Sequence, residues 1–218
     1  MSPAAEDYAK AIFALQAELE GPVSTNAVAE RLGVTAASAS GMLRRLHEHG
    51  LVAHRPYHGV VLTAAGRRVA LRVLRHHRLL ETYLAQSLGV PWDRVHAEAE
   101  VLEHALSDEL EALIAAKLGH PTHDPHGDPI PSAELVLEES RCVCLASLEA
   151  GASGVLARVS DADPEMLRYL AARGIAPGAR LEVLERQPFD GPLFVRIDEE
   201  VHVLGGDLAQ AMSVEVVA

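Results

Sequence analysis

STNAVAERLGVTAASASGMLRRLHEHG, residues 24–50, governs how the rest of the chain is read. Ser24-Thr25-Asn26 is a cap-like cluster, because such side chains accept hydrogen bonds from the unpaired amides of a first helical turn. Ala27, Val28 and Leu32 follow at helical spacing, and Gly33 stops the run. Thr35 can cap a second helix whose apolar positions Ala39, Met42, Leu43 and Leu46 fall at i, i+3, i+4 and i+7 before Gly50. Two short helices joined by a tight turn at Gly33 form a helix-turn-helix.

Upstream, residues 4–20 read as a helix with Ala9, Ile12, Phe13, Leu15 and Leu19 as apolar positions, ended by Gly21-Pro22. Downstream, Leu51–His54 and Val60–Thr63 read as strands around a short hairpin, Arg55-Pro56-Tyr57-His58-Gly59. A helix-turn-helix followed by a hairpin is the winged-helix arrangement. With Thr35–His49 as recognition helix, Thr35, Ala37, Ser38 and Ser40 face base edges. Their small hydroxyl and methyl groups suit thymine methyls and water-mediated contacts better than bidentate guanine reading. Arg44, Arg45 and the wing residues Arg55, Tyr57 and His58 are placed for phosphates or the adjacent minor groove.

Charge sharpens this reading. The 218 residues carry a net −12, which argues against a polyanionic partner. Residues 1–78, however, hold ten Lys and Arg against six Asp and Glu, +4, while the remainder holds nine against twenty-five, −16. Only the N-terminal third is suited to nucleic acid, unless the asymmetry is chance patchiness.

Beyond the hairpin, Ala64–Leu88 and Asp93–Leu118 follow helical patterns closed by Gly89 with Pro91 and by Gly119 with Pro121. Pro121, Pro125, Pro129 and Pro131 mark an extended stretch, a linker or a loop laid against the domain. From about Arg141 short β-type runs take over: Val143–Ser147, Val155–Val159, Leu181–Leu184, Phe194–Ile197, His202–Leu204 and Val214–Val217. A helical interlude lies near Pro164–Arg173, and the spacing suggests a small SH3-like barrel. Cys142 and Cys144 point to one face of a strand, which suits neither a disulfide framework nor a zinc knuckle, so they read as small core hydrophobes. The fold class is mainly α with a small β part. It comprises a winged helix-turn-helix over residues 1–73, a helical domain over 74–140 and an SH3-like domain over 141–218. No run of 18 apolar residues and no signal peptide is visible, which fits a reducing cytoplasm and no membrane partner.

Twelve histidines, several near carboxylates, hint at metal. In the helix from Asp93, residues His96, Glu100, Glu103 and His104 lie at i, i+4, i+7 and i+8, one face. His77 and Glu81 stand four apart in the preceding helix, and facing helices bearing such groups are how bundle-type metal sites are built. Individually these residues fit a solvated face. Together, beside Val95, Ala99, Leu102 and Leu106, they fit coordination better. The order Glu103-His104-Ala105-Leu106-Ser107 lacks the second histidine of a hydrolytic zinc helix, and neither a nucleophile elbow nor a phosphate loop occurs. A regulatory or structural metal remains, not an enzyme.

These parts join in one resemblance. The winged helix, Arg75-His76-His77-Arg78-Leu79-Leu80-Glu81, the string Val95–Glu109 and Asp128-Pro129-Ile130-Pro131 together resemble the diphtheria-toxin-repressor and manganese-transport-regulator family. The resemblance covers essentially the whole chain, including an SH3-like module (FeoA-like) from Cys142 to Val217 similar to that of longer members. It implies a helical dimerisation domain and a metal corepressor. The implied ligands are Asp7, Glu100, Glu103 and His104, with His77 joining them or a neighbouring ion. Glu81 and His96 match a second site of iron-type members. In manganese-type members a second site resembles Glu81, Asp124, His126 and an aspartate of the third domain, matched by Asp161 with Asp163 close by. Iron-type members have methionine at the place of Asp7 and cysteine at that of Glu100, and carboxylates there favour hard ions, manganese above all. Lys10 stands where some short manganese regulators have glutamate, which argues for two separated sites rather than a two-metal cluster. The expectation is a homodimer repressing metal-uptake genes from a near-palindromic double-stranded operator. Mn2+ would tie the domains together and fix the spacing of the recognition helices. Alternatives are a repressor answering Fe2+, zinc or another divalent metal, and a metallohydrolase or metal-storage module.

Overall fold

A computed structural model describes residues 1–19, 21–55, 59–138, 141–189 and 191–217, apart from the side chains of His54 and Arg55. The chain divides into two compact units. The first contains Met1–His77, Val101–Glu111 and Pro131–Leu137. The second contains Arg78–Glu100, Ala112–Ile130 and Glu138–Ala218.

The first unit opens with helices α1 (Pro3–Leu19), α2 (Thr25–Arg31) and α3 (Ala36–Glu48). Ser24 caps α2, its Oγ accepting from the Ala27 amide at 3.1 Å, and Thr35 caps α3 by accepting from the Ser38 amide at 3.2 Å. Strands β1 (Val52–Arg55) and β2 (Gly59–Leu62) pair antiparallel, with Val52 opposite Leu62 and Arg55 opposite Gly59. Reciprocal backbone bonds between Val23 and Val60, 2.9 Å each, add a third edge to this wing. Ile12, Val28, Ala39, Leu43, Leu46, Val52 and Val60 form the core, all essentially solvent-free. Burying each of the larger ones contributes roughly 1.5–3 kcal/mol. The helix-turn-helix is thus fixed by its own apolar stripes. Tyr57 and His58, expected to contact DNA, lie outside the described residues.

Helix α4 (Ala64–Leu88) begins in the first unit and ends in the second. The expected single helix from Asp93 to Leu118 is broken into α5 (Trp92–Leu102) and α6 (Asp108–Lys117). Ser107 explains the break. Its Oγ accepts from the Leu110 amide at 3.2 Å, and Asp108, Glu109 and Glu111 complement the positive end of α6. Glu103 and His104 therefore sit in the turn after α5, not on its face.

The second unit carries a six-stranded antiparallel sheet in the order β3-β8-β4-β5-β6-β7. The strands are β3 (Val143–Cys144), β4 (Ser153–Val159), β5 (Arg180–Arg186), β6 (Leu193–Ile197), β7 (Glu200–Leu204) and β8 (Met212–Val216). Helix α7 (Pro164–Ala171) is capped by Asp163, which accepts from the Glu165 amide at 2.8 Å, and a short α8 (Gly206–Gln210) precedes β8. Alternate residues turn inward to a core of Leu145, Leu156, Val159, Leu167, Leu170, Val183, Val195, Leu204, Met212 and Val214. β3 is only two residues long, and Cys142 and Cys144 are half-buried thiols outside any disulfide rather than core hydrophobes.

The proline-rich stretch as far as Ile130 is a tight loop of the second unit. The Asp124 Oδ1 atom accepts from the amides of His126 and Asp128, 2.9 Å each, and the Ile130 amide returns to the Thr122 carbonyl at 2.8 Å. Between them Gly127, at φ +87°, lies so near β4 that a Cβ would fall 1.9 Å from the Ala157 carbonyl oxygen. The Val159 amide then bonds the His126 carbonyl at 2.9 Å. Only glycine permits that approach.

Candidate metal centres and nucleic-acid face

Asp7, Glu103 and His104 place three potential ligand atoms within 4.8 Å of one another. Asp7 comes from α1, whereas Glu103 and His104 come from the turn before α6. The His104 Nε2 atom lies 2.8 Å from Asp7 Oδ1 and 3.5 Å from Glu103 Oε1, while Nδ1 lies 2.7 Å from Glu6 Oε2. Both ring nitrogens face carboxylates, yet a neutral imidazole carries one proton. With that proton on Nδ1 and donated to Glu6, the Nε2 lone pair, Asp7 and Glu103 converge on a position suited to a cation. Glu6 then orients the ring, the usual task of a ligand's outer partner. Sequence reading missed this role; the adjacent pair Glu6-Asp7 at the helix start was its only signal.

Glu103 is the buried member, with 1% of its side chain exposed. Its Oε2 meets His77 Nδ1 at 2.5 Å, and its Oε1 accepts from Lys10 Nζ at 2.6 Å. Burial works to raise its pKa, but the His77 hydrogen bond and the Lys10 charge outweigh that and hold the carboxyl below its usual range. Glu100 remains on α5, half-exposed, with Oε1 3.7 Å from His96 Nε2.

A second set lies in the sheet-bearing unit. Glu81, Asp124 and His126 again bring ligand atoms within 4.8 Å. His126 is fully buried and stacks on Trp92, ring centroids 5.8 Å apart. Its Nε2 is 2.8 Å from the Trp92 carbonyl, which only accepts, so Nε2 carries the proton. Nδ1 is left with a buried lone pair that finds no hydrogen-bond partner among the described residues, 4.0 Å from Glu81 Oε2. Burial first, then the like charges of Asp128 and Glu81, push the Asp124 carboxyl well above its usual pKa. An orphaned buried nitrogen beside a carboxyl that resists ionising has the chemistry of a cation donor set, and the residues fit a divalent ion.

Asp161 is not part of that set. Its Oδ2 lies 2.8 Å from His96 Nδ1, and Glu81 Oε1 lies 3.3 Å from the same nitrogen. Asp161 first and Glu81 second push the His96 imidazole up to about 10, so it is an imidazolium. Asp163 is occupied with capping α7.

Of the residues expected to face DNA, Thr35 at the start of α3 and Ala37, Ser38, Ser40, Arg44 and Arg45 along it are all exposed. Thr35 is the capping residue, and its hydroxyl also donates to Ser38 Oγ at 3.0 Å, so it has structural work at the helix start. Arg55 ends β1.

A winged helix in a chain that also carries nitrogen- and oxygen-donor clusters defines the class of metal-dependent DNA-binding repressors. The comparisons agree. Residues 1–60 match the N-terminal DNA-binding domain of iron-dependent repressors, 63–132 their metal-binding and dimerisation domain, and 143–216 the FeoA domain. The chain belongs to the iron-dependent repressor family. It is 32% identical over 224 residues to the iron-dependent repressor IdeR of Mycobacterium tuberculosis, covering 97% of this chain and 96% of that one. Among solved structures, a manganese-dependent transcriptional repressor in complex with manganese matches at TM-score 0.90 and 49% identity, over 98% of this chain and 100% of that one. The manganese regulator SloR matches at TM-score 0.78 and 30% identity, over the whole of both chains. No helix among the described residues is long and apolar enough to cross a membrane.

Proposed function

We propose that this chain is a manganese-activated homodimeric repressor of metal-uptake genes that binds a near-palindromic operator. Its domains would follow the boundaries 1–73, 74–140 and 141–218. The observation that carries the reading is the sulfur-free donor set Asp7, Glu103 and His104, which joins α1 of the DNA-binding domain to the turn before α6. Two carboxylates and one imidazole favour a hard divalent ion over one that seeks thiolate or thioether. The 49% identity to a manganese-dependent repressor adds support.

A bound divalent cation supplies charge neutralisation between groups that otherwise repel. Asp7 carries the orientation of α1, and through the shared core that of α3, to the cluster. Glu103 holds the turn, and Glu6 fixes the His104 tautomer. Metal and DNA then stabilise the same arrangement, and each raises the affinity for the other by one factor. In a dimer with two recognition helices, operator half-sites lie about one helical turn, or a multiple, apart. The test is fluorescence anisotropy of operator DNA titrated with protein in Mn2+, Fe2+, Zn2+ or chelator. Manganese should give the tightest binding, and equal affinity in chelator would remove the corepressor role.

A further inference from the structure

Lys10 lies one turn after Asp7 on α1, and its ammonium sits 2.6 Å from Oε1 of Glu103. That oxygen is also the one 3.5 Å from His104 Nε2, hence the oxygen the candidate cation would share. The lysine is four-fifths buried, and the acid it meets is almost entirely so. A buried carboxylate needs a counter-charge, and a tethered ammonium provides one without any ion. We infer that Lys10 is a built-in competitor for the corepressor metal, a positioning residue that neutralises Glu103 until a divalent cation arrives and thereby sets the metal concentration at which the protein responds. This rests on the reading of Asp7, Glu103 and His104 as the corepressor site.

The two cations are not equivalent. Lys10 brings a single charge to Oε1 of Glu103, whereas a divalent ion can draw Asp7, Glu103 and His104 together. While Lys10 holds Glu103, α1 is already tethered to the turn that carries His104. The arriving ion therefore meets a positive charge a few ångströms away and must share or displace its contact. At such a separation in partly buried surroundings, repulsion between like charges amounts to tenfold or more in a binding constant. Removing the ammonium also destabilises the protein without metal, since buried Glu103 loses a full counter-charge and keeps the imidazoles of His77 and His104. Both effects have one sign: they tighten metal binding and lower the starting stability.

The test uses the full chain in three forms, wild type, Lys10→Met and Lys10→Arg, with free Mn2+ followed by electron paramagnetic resonance and thermal melting in chelator. Lys10→Met should bind the Glu103-dependent manganese equivalent about tenfold more tightly and melt about 2–4 °C lower without metal. Lys10→Arg, which keeps the charge, should restore both values. A merely structural ion pair would lower the melting point and leave the affinity unchanged or weaker, and that result overturns the inference. Should Lys10→Met not fold, Lys10→Gln serves the same comparison. Glu103→Gln separates the underlying reading from this one. If wild type and Glu103→Gln bind the same number of manganese equivalents with the same affinity, the corepressor site is misplaced. If Glu103→Gln loses an equivalent while Lys10→Met matches wild type, only the role of Lys10 fails.

Discussion

The two candidate metal clusters solve the same problem with opposite electrostatics. In the first, a histidine ring is flanked by Asp7, Glu103 and Glu6, and the excess acid is offset by Lys10 and His77. In the second, a fully buried His126 is oriented by the Trp92 carbonyl, and its remaining nitrogen has no hydrogen-bond partner among the described residues, while burial pushes the Asp124 carboxyl above its usual pKa. One cluster has its countercharge built in. The other answers burial by resisting ionisation. The first is thus organised whether or not a metal binds, and its response is a matter of competition. In the second, a cation would offset the mutual repulsion of the buried acids, so metal there should add to stability directly.

The largest effect expected is at the first cluster. Glu103→Gln should weaken manganese binding on the order of 100-fold or more, because it removes a buried charged donor that also holds His77 and Lys10. Manganese titration of operator affinity would show it, and an unchanged midpoint would dissolve the contrast. Next comes Gly127→Ala, which forces a methyl against the Ala157 carbonyl at a positive φ and should cost about 2 kcal/mol. Because that loop carries Asp124 and His126, the variant should lose the stability gained from metal at the second cluster. Glu103-dependent binding should be spared, as calorimetry with and without manganese can establish. A smaller change follows from Asp124→Asn. It relieves repulsion with Glu81 and Asp128 and still accepts the amides of His126 and Asp128. Its melting point in chelator should rise by about 2–4 °C while the increment from metal shrinks. A fall in chelator would mean that Asp124 is already well compensated. The smallest is Arg45→Ala, expected to leave both metal affinities alone and to reduce the salt slope of operator binding by about one unit. An identical slope would take α3 off the phosphate backbone.

Much of this was legible in residue patterns. The caps Ser24 and Thr35, the glycine stops and the apolar stripes of α1 to α4 are local signals, and the structure follows them closely. The helix assigned from Asp93 to Leu118 failed where a local signal was overlooked, the Ser107-Asp108-Glu109 start of α6. That single error misplaced Glu103 and His104 on a helix face. α8 was missed because five residues are too few for periodicity to register.

What the sequence determined alone is whatever depends on neighbours within a turn or a strand: the helix-turn-helix, the alternating strands of the sheet domain, and the inventory of carboxylates and imidazoles. Family resemblance added which of these belong to metal chemistry, and it too is carried by linear strings. Tertiary structure decided the pairings. That Glu6 faces His104, that Lys10 caps Glu103, that Trp92 fixes the His126 tautomer and that Asp161 turns to His96 are contacts between residues 34 to 98 positions apart in most cases. Such contacts depend on the angle at which packed elements meet and on which buried charge finds a partner first. Neither is encoded in any short window of the chain, because the energy that selects them is shared among all the side chains the packing brings together.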